Sequence, residues 1–448
     1  MVGRDAFLST SISSNFPLNF LRGGKMKKTF YFLGVTFLLF FLNGCQKKEK
    51  GLVIWHWMAD RQEAFEKLAE QYQKKKGLKV RFELFFPPEV YSQKIQAAAA
   101  AQDLPDIFGI LGEKKIFASF IKGGYIENLS PYLEENNQEW KRRFIKIGLD
   151  FNTFEKDNPY GVKEGIYAIP IDLMSIQFLE NKRLLKEIGE ESPQHWEDFI
   201  RIAKKAKEKG KWGFVCGWGE SWFIYCLVTN YAFNIMGKEK FFATLKGEVP
   251  YTDPDWIKIF ALFKELRKAE VLFPGIVTLN NKEAEQFFAQ EKALFSFNGS
   301  WGINTYYQIN KKLEYDTTLP PRVSDKFPLR IWAGAGSSFV VNKNSPLKKE
   351  AIEFLKWLTQ RNQQVFLIHY THNLPSIKGC EDKLEENLVK FLKNMENATH
   401  PRLWPINENP RVVEAINTGI QKILVGEAEP DKVAQEVEKA KKLTLGGR

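Results

Sequence analysis

The sequence predicts an α/β fold in which mostly parallel strands alternate with covering helices. Residues 51–57 form an apolar strand, an amphipathic helix follows and stops at Gly77, and residues 80–86 carry apolar side chains at alternate positions as a second strand. A helix over 91–101 and a strand over 104–108 repeat this order, which favours a parallel sheet covered by helices. The chain has 448 residues, 44% of them hydrophobic, so two or three domains are expected.

The amino-terminal region predicts where the protein is located. From Met26, two lysines precede an apolar run over 29–42, which is short for a bilayer span but typical of the central part of a secretory signal peptide. The quartet Leu-Asn-Gly-Cys at 42–45 resembles a bacterial lipobox, in which Cys45 is lipidated. We therefore expect a lipoprotein signal peptide over 26–44 and an extracytoplasmic, lipid-anchored protein; an uncleaved signal anchor is the alternative.

The segments on either side of the signal peptide carry little pattern of their own. Residues 1–25 lack the charged start and apolar run of a signal peptide, and Met26 is the more natural initiator. The upstream residues are therefore expected to be a misannotated extension. The polar residues 45–50 are expected to link the anchor to the folded part of the chain.

Charge and cysteine content exclude several function classes. The chain has 65 Lys and Arg against 54 Asp and Glu, interspersed along helical faces, which favours a solvated surface over nucleic-acid binding. The four cysteines lie at positions 45, 216, 226 and 380 and include no Cys-x-x-Cys pair, so neither a metal nor a cofactor is expected. Cys216 and Cys226 either pair or remain free thiols, which the sequence leaves open.

A short apolar stretch over 292–301 is the most informative part of the chain. It predicts a buried strand that ends in a turn at Asn298 and Gly299, and Trp301 follows at once. Open α/β sheets bind ligands at the carboxyl ends of their strands, so Trp301 is a candidate ligand contact. A core tryptophan at the start of the next helix is the alternative.

The positions of the tryptophans indicate a carbohydrate site. Sugars present C–H faces for aromatic rings and hydroxyls for carboxylates, amides and Arg. The tryptophans in loops or at strand ends are Trp57, Trp218, Trp222, Trp301, Trp332 and Trp404. Those within helices or at their starts, where core packing is favoured, are Trp140, Trp196, Trp256 and Trp357.

Five stretches carry a resemblance to a known family. They are Leu-Val-Ile-Trp at 52–55, Leu-Pro-Asp-Ile-Phe at 104–108, Tyr-Ala-Ile-Pro-Ile-Asp at 167–172, Asn-Gly-Ser-Trp at 298–301 and Gly-Ala-Gly at 334–336. In this order they resemble bacterial extracellular solute-binding proteins of ABC importers, the carbohydrate-binding group that includes maltose-binding protein. The resemblance extends over nearly all of residues 51–445.

The resemblance implies a two-lobed periplasmic-binding-protein fold. Each lobe would be a mostly parallel sheet flanked by helices, and hinge crossings would join the lobes near 170–172 and 332–336. Lobe one would comprise 51–172 plus 334–395, and lobe two 173–333 plus 396–445. Glycines in the second crossing could absorb backbone rotation. The carboxyl-terminal part is expected to be helical over 349–361 and 431–443.

The resemblance also implies the ligand contacts. The family's stacking aromatics map onto Trp222, Trp301 and Trp404, and its polar contacts onto the turn over 57–61, the end of the Asp106 strand and Asp172. The expected contacts are Trp57, Asp60, Arg61, Asp106, Glu113, Asp172, Trp218, Trp222, Trp301, Trp332 and Trp404. Asp106 alternatively caps the following turn, and Asp172 alternatively fixes the hinge. Where relatives have an aromatic this chain has Ile110, and Met174 stands where a carboxylate can occur, so the particular sugar stays open.

These observations predict a non-enzymatic receptor. We expect a monomer that binds a sugar or oligosaccharide, is anchored through Cys45 and serves the permease subunits of an ABC importer. A secreted glycoside hydrolase is the alternative from another class, but the residues nominate no acid/base pair, and Gly-x-Ser-x-Gly, His-Glu-x-x-His and P-loop motifs are absent. A receptor for a peptide, a polyamine or a metal complex is the third possibility.

Overall fold

The computed structural model describes residues 51–111, 114–399 and 408–445. The expected signal peptide and three of the expected functional residues, Cys45, Glu113 and Trp404, lie outside the described residues.

The first sheet contains the strands that open the described chain. Its order is β2-β1-β3-β12-β6, with β1 parallel to both β2 and β3, and with β12 antiparallel to β3 and β6. These strands are β1 Gly51–His56, β2 Lys79–Leu84, β3 Ile107–Gly109, β6 Ile169–Pro170 and β12 Ser338–Val341. The predicted alternation of strands and helices in this part of the chain is confirmed.

The first helix has the apolar face and the glycine end that the sequence predicts. Helix α1, Gln62–Lys76, buries the face formed by Ala64, Phe65, Leu68, Ala69 and Tyr72. It ends at Gly77, whose φ of 72° is the left-handed conformation that glycine adopts without strain. Helix α2, Pro88–Ala100, then leads to β3.

The second sheet is organised around its longest strand, β7, Asp172–Asn181. Its order is β10-β7-β9-β8, and β11 and β13 also pair with β7. Strands β8 and β9 are parallel neighbours, whereas β9 is antiparallel to β7. The remaining strands of this sheet are β8 Trp212–Val215, β9 Ala293–Gly299, β10 Tyr315–Thr318, β11 Trp332–Ala335 and β13 Leu374–Pro375.

The remaining helices cover these sheets. They are α3 Lys114–Lys122, α4 Ser130–Arg143, α5 Lys146–Asn152, α6 Lys182–Glu187, α7 Trp196–Glu208, α8 Trp222–Lys246, α9 Pro254–Ala269, α10 Asn281–Ala289, α11 Gly302–Ile309, α12 Lys348–Leu358, α13 Arg361–Thr371, α14 Glu386–Asn394, α15 Pro410–Val425 and α16 Pro430–Leu445. A short pair, β4 Thr153–Phe154 and β5 Gly165–Ile166, lies outside both sheets. The helices expected over 349–361 and 431–443 are found as α12 and α16. Within the described residues, no helix has both the length and the apolar content that a bilayer span requires.

The chain passes between the two sheets at defined points. It leaves β6 at Pro170 and enters β7 at Asp172, and it returns between Ala335 and Ser338. It reaches the second sheet again at β13, which pairs with the start of β7. Helix α14 then packs on β7 and β10, and its Lys390 pairs with Asp316 at 2.6 Å. Residues up to 395 are expected in lobe one, whereas the structure packs α14 against the second sheet.

The strand register places the carboxyl ends of β3 in the first sheet and β9 in the second at these passages. The last residue of β9, Gly299, pairs with Ile176, close to the start of β7. The last residue of β3, Gly109, pairs with Phe339 at the start of β12. Because both strands end beside a passage between the sheets, each sheet presents there the edge at which open α/β sheets bind ligands.

Candidate ligand-binding site

Two of the expected tryptophans meet at the carboxyl edge of the second sheet. Trp222 begins α8 after the loop that follows β8, and Trp301 follows β9. Because β8 and β9 are parallel neighbours, their ends lie side by side. The two indole centroids are 6.1 Å apart at an interplanar angle of 44°. Trp222 is 36% exposed and Trp301 is half-buried, so the pair presents aromatic surface to solvent.

A glycine and a carboxylate position this pair. A Cβ added at Gly299 would lie 2.1 Å from the Trp301 ring, so only glycine lets the indole lie against the end of the strand. Glu220 accepts hydrogen bonds from Trp222 Nε1 at 3.3 Å and from the backbone N–H of Asn281 at 2.7 Å. Glu220 is not among the contacts predicted from the sequence, although it lies two residues before Trp222, which is.

A polar network lies behind Trp301. Glu285 is buried and accepts from the side-chain amides of Asn281 at 2.7 Å and Asn298 at 3.1 Å, and it pairs with Lys282 at 2.7 Å. The expected turn at Asn298 and Gly299 is instead the end of β9, because the Asn298 amide points inward and donates to Tyr306 Oη at 2.7 Å. The Asn298 Oδ1 atom is buried and has no partner among the described residues.

The first sheet contributes Trp57 at its own carboxyl edge. Its half-buried indole lies over Gly109, where an added Cβ would be 2.5 Å from the ring. The centroid of the Trp57 ring is 5.2 Å from that of Tyr91. Phe86 follows β2 at the same edge and is 61% exposed. Sequence reasoning treated Phe86 only as a strand residue; its position directly before two prolines was the signal that the strand ends there.

Two of the expected tryptophans lie in the core and not at the edge where the site is expected. Trp218 is fully buried and packs against Phe214 at 5.4 Å and Phe263 at 5.6 Å between ring centroids. Trp332 is buried on α8, and its Nε1 donates to the carbonyl of Cys226 at 3.2 Å. Both follow or begin a strand as predicted, but their rings turn toward the covering helices and away from the edge.

Asp106 also has a structural role. It precedes β3 and therefore lies at the amino end of that strand, the opposite edge from Trp57. Its carboxylate accepts from the backbone N–H of Val53 at 2.9 Å and from Ser345 Oγ at 2.5 Å. Asp106 thus fixes local backbone, at the edge of the sheet opposite the one where the ligand contacts are expected.

Arg61 and Asp172 bind each other at the first passage between the sheets. Arg61 Nη1 is 2.6 Å from Asp172 Oδ2, and both side chains are buried. Burial raises the pKa of Asp172, and the neighbouring guanidinium opposes that shift. These contacts favour the hinge role that was the alternative for Asp172. Asp60 is exposed beside them, 3.5 Å from Arg61 Nε.

The structure decides whether Cys216 and Cys226 form a disulfide or remain free thiols. Cys216 and Cys226 are both buried free thiols, and Cys216 Sγ donates to the carbonyl of Phe297 at 3.2 Å. Across the part of the chain that the structure describes, no group of His, Cys, Asp and Glu side chains has the arrangement of a metal site.

Known proteins share both sequence and fold with this chain. The multiple sugar-binding protein of Streptococcus mutans is 23% identical over 290 residues, covering 63% of this chain and 65% of that protein. The melibiose/raffinose/stachyose-binding protein MelE of Bacillus subtilis is 25% identical over 359 residues, covering 75% of this chain and 78% of that protein. A solved chitin oligosaccharide binding protein superimposes with a TM-score of 0.72 at 21% identity, over 89% of this chain and all of that one.

The match to a family model identifies the family of this chain more directly than any single relative does. The model described as "Bacterial extracellular solute-binding protein" matches residues 57–365, most of the described chain. That range contains Trp57, Trp222 and Trp301, together with β8 and β9, whose carboxyl ends precede the last two. By this match, the chain belongs to the bacterial extracellular solute-binding protein family.

Proposed function

We propose that this protein is a non-enzymatic receptor that binds a sugar or oligosaccharide outside the cytoplasm and delivers it to an ABC importer. The observation that carries the proposal is the partly exposed pair of Trp222 and Trp301 at the carboxyl edge of the second sheet. Indole faces stack on the C–H faces of pyranose rings, and an edge with two of them suits a ligand of more than one sugar unit.

Polar groups beside the aromatic pair suit sugar hydroxyls. Glu220 is partly exposed next to Trp222, and Lys282 pairs with Glu285 behind Trp301. The relatives' names support the same ligand class, since they refer to multiple sugars, to melibiose, raffinose and stachyose, and to chitin oligosaccharides.

Ligand binding would proceed by closure of two lobes. We assign 51–170 and 338–383 to lobe one and 172–335 and 386–445 to lobe two, with the passages between the sheets as the hinge. Trp57 and Phe86 would approach the ligand from lobe one, and Trp222 and Trp301 from lobe two. Closure is stabilised when the ligand binds the closed form more tightly than the open one.

The partners follow from this role. The closed receptor would dock as a monomer on the permease subunits of the importer. The lipidated Cys45 would hold it at a membrane, because each buried CH₂ of an acyl chain contributes about 0.8 kcal/mol.

A thermal-shift screen tests the proposal. The purified protein is heated with raffinose, stachyose and chitobiose, and in parallel with amino acids, polyamines and metal salts. We expect an oligosaccharide to raise the unfolding temperature and to be recovered intact afterwards. Stabilisation only by a non-sugar solute would contradict the ligand class, and released reducing ends would indicate a hydrolase.

Replacing Trp301 tests the site itself. We expect Trp301→Ala to weaken binding of the stabilising sugar by about 1–3 kcal/mol, since it removes a stacking platform. Isothermal titration calorimetry measures the loss. Trp332→Phe is the matched control: it should lower the unfolding temperature and leave affinity unchanged. Unchanged affinity in a folded Trp301→Ala protein would mean that Trp301 is a core residue.

A further inference from the structure

Three stretches of backbone lie side by side where the chain passes between the sheets. We call them the crossing ribbon: residues 171–172, residues 336–337 and residues 373–375, which contain β13. The backbone N–H of Ile171 donates to the carbonyl of Ser337 at 2.8 Å, and that of Gly336 donates to the carbonyl of Asp172 at 3.0 Å. On the other side, Pro375 of β13 pairs with Asp172. Any rotation of one sheet against the other must change the backbone of this ribbon.

One buried guanidinium contacts each stretch of the ribbon. Arg61 Nη1 is 2.6 Å from Asp172 Oδ2 and donates to Ser337 Oγ at 2.9 Å. Asn373, the residue before β13, accepts from Arg61 Nη2 at 3.1 Å and Nε at 3.0 Å, with its amide oriented so that both its atoms are satisfied. Asp172 Oδ1 in turn accepts from the backbone N–H of Ser337 at 2.6 Å.

The guanidinium itself belongs to the first sheet. Arg61 ends the turn between β1 and α1, and its Nη1 is also 3.1 Å from Met58 Sδ in that turn. Its side chain is only 10% exposed and its donors point at the ribbon. A planar fork with several fixed donors can hold three partners at once, which a lysine ammonium on a flexible stem does with much less geometric constraint.

We propose that Arg61 is a positioning residue that sets the resting angle between the two lobes, by fixing all three stretches of the crossing ribbon to the first sheet. The inference rests on the proposed hinge-closing receptor, but it concerns the ligand-free protein. Arg61 then acts on affinity through the population of binding-competent conformers and not through contact with the sugar.

The test measures the distance between the lobes without ligand. Spin labels on cysteines introduced at Lys75 of α1 and Lys204 of α7, both exposed, report that distance by double electron–electron resonance. We expect Arg61→Lys to broaden the distance distribution about twofold, as expected when a fixed hinge is released. Ser337→Ala, which removes one hydrogen bond and no charge, should broaden it less.

A matched control separates hinge setting from general destabilisation. Lys441 and Glu408 form a second buried ion pair at 2.7 Å, with side chains 6% and 2% exposed, and Lys441 also donates to the carbonyl of Leu245 on α8. Lys441→Met should lower the unfolding temperature and leave the distance distribution unchanged. The proposal is overturned if Arg61→Lys, or Ser337→Ala should the first variant not fold, gives the wild-type distribution.

Binding measurements on the same proteins keep the two proposals apart. With raffinose, stachyose and chitobiose as probes, wild-type protein that binds none of them would count against the proposed ligand class and leave the distance result valid. A lower stachyose affinity of Arg61→Lys together with an unchanged ligand-free distribution would mean that Arg61 contacts the sugar, which contradicts the proposal.

Discussion

His56 illustrates how a single residue makes the fold sensitive to pH. It is fully buried at the end of β1, where its Nε2 bonds to Gln62 Oε1 at 2.7 Å and its Nδ1 accepts from the backbone N–H of Met58 at 3.2 Å. The rings of Phe65 and Phe82 lie 5.1 and 5.8 Å away. Burial lowers the pKa of His56 from 6.5 to about 4, so the folded protein holds the neutral ring.

Stability should therefore fall on acidification in a definite window. The unfolded chain binds a proton at His56 near pH 6.5 and the folded chain only near pH 4, so stabilisation is complete above 6.5 and is lost between the two values. At 1.36 kcal/mol per pKa unit the loss is about 3 kcal/mol. Urea unfolding at several pH values measures it. The difference between wild type and His56→Gln should shrink over this window; a constant difference would contradict the assignment.

At the scale of an element, β9 and the start of α11 show how a strand end builds a site. The strand is buried along its length, and Gly299 lets the Trp301 ring lie on the end of its own strand. The backbone there is held to β7, since the N–H of Ser300 donates to the carbonyl of Ser175 at 2.9 Å. The indole is therefore positioned by a rigid element and not by a loop.

Adding one methyl group to this strand end should disturb the site more than the fold. Gly299→Ala places a Cβ 2.1 Å from the Trp301 ring, which is a side chain at the surface and can move away. We expect sugar affinity to fall at least tenfold, since about 1.4 kcal/mol of stacking corresponds to a factor of ten. Calorimetric titration measures it, and Ser300→Ala, which adds no bulk, should retain most of the affinity. Equal affinity in Gly299→Ala and wild type would show that the ring position does not matter.

At the scale of the whole molecule, two sheets with their carboxyl edges at a common set of passages form the framework for a closing receptor. The three stretches of the crossing ribbon connect these sheets, and the aromatic residues lie at the edges of the sheets. Where such a receptor works depends on its amino terminus, which the sequence predicts to be a lipoprotein signal peptide over 26–44 followed by the lipidated Cys45.

The anchor prediction has a direct test. Wild-type protein expressed in a bacterium should fractionate with membranes and begin at a lipidated Cys45, because acyl chains and not a spanning helix would hold it. Cys45→Ser should abolish the lipid-dependent mass increase measured by intact mass spectrometry. Cys380→Ser, at a buried free thiol, is the matched control. An unlipidated Cys45 in membrane-bound wild type would support an uncleaved signal anchor.

Much of the architecture could be predicted because it is encoded locally. The apolar face of α1, the glycine that ends it and the apolar run of β9 each follow from residues close together in the chain. The same local patterns placed Trp57, Trp222 and Trp301 at strand or helix ends, where the structure finds them partly exposed. The ordered motifs were enough to indicate the family.

Tertiary structure alone decided which side chains are buried and which residues they contact. Trp218 and Trp332 have sequence surroundings like those of Trp222 and Trp301, yet they are buried because α8 and α9 pack over them. Arg61 and Asp172 each look like a ligand contact, and only the fold brings them together within 2.6 Å. A sequence pattern specifies which face of an element is apolar, but which neighbour covers that face depends on how distant elements pack.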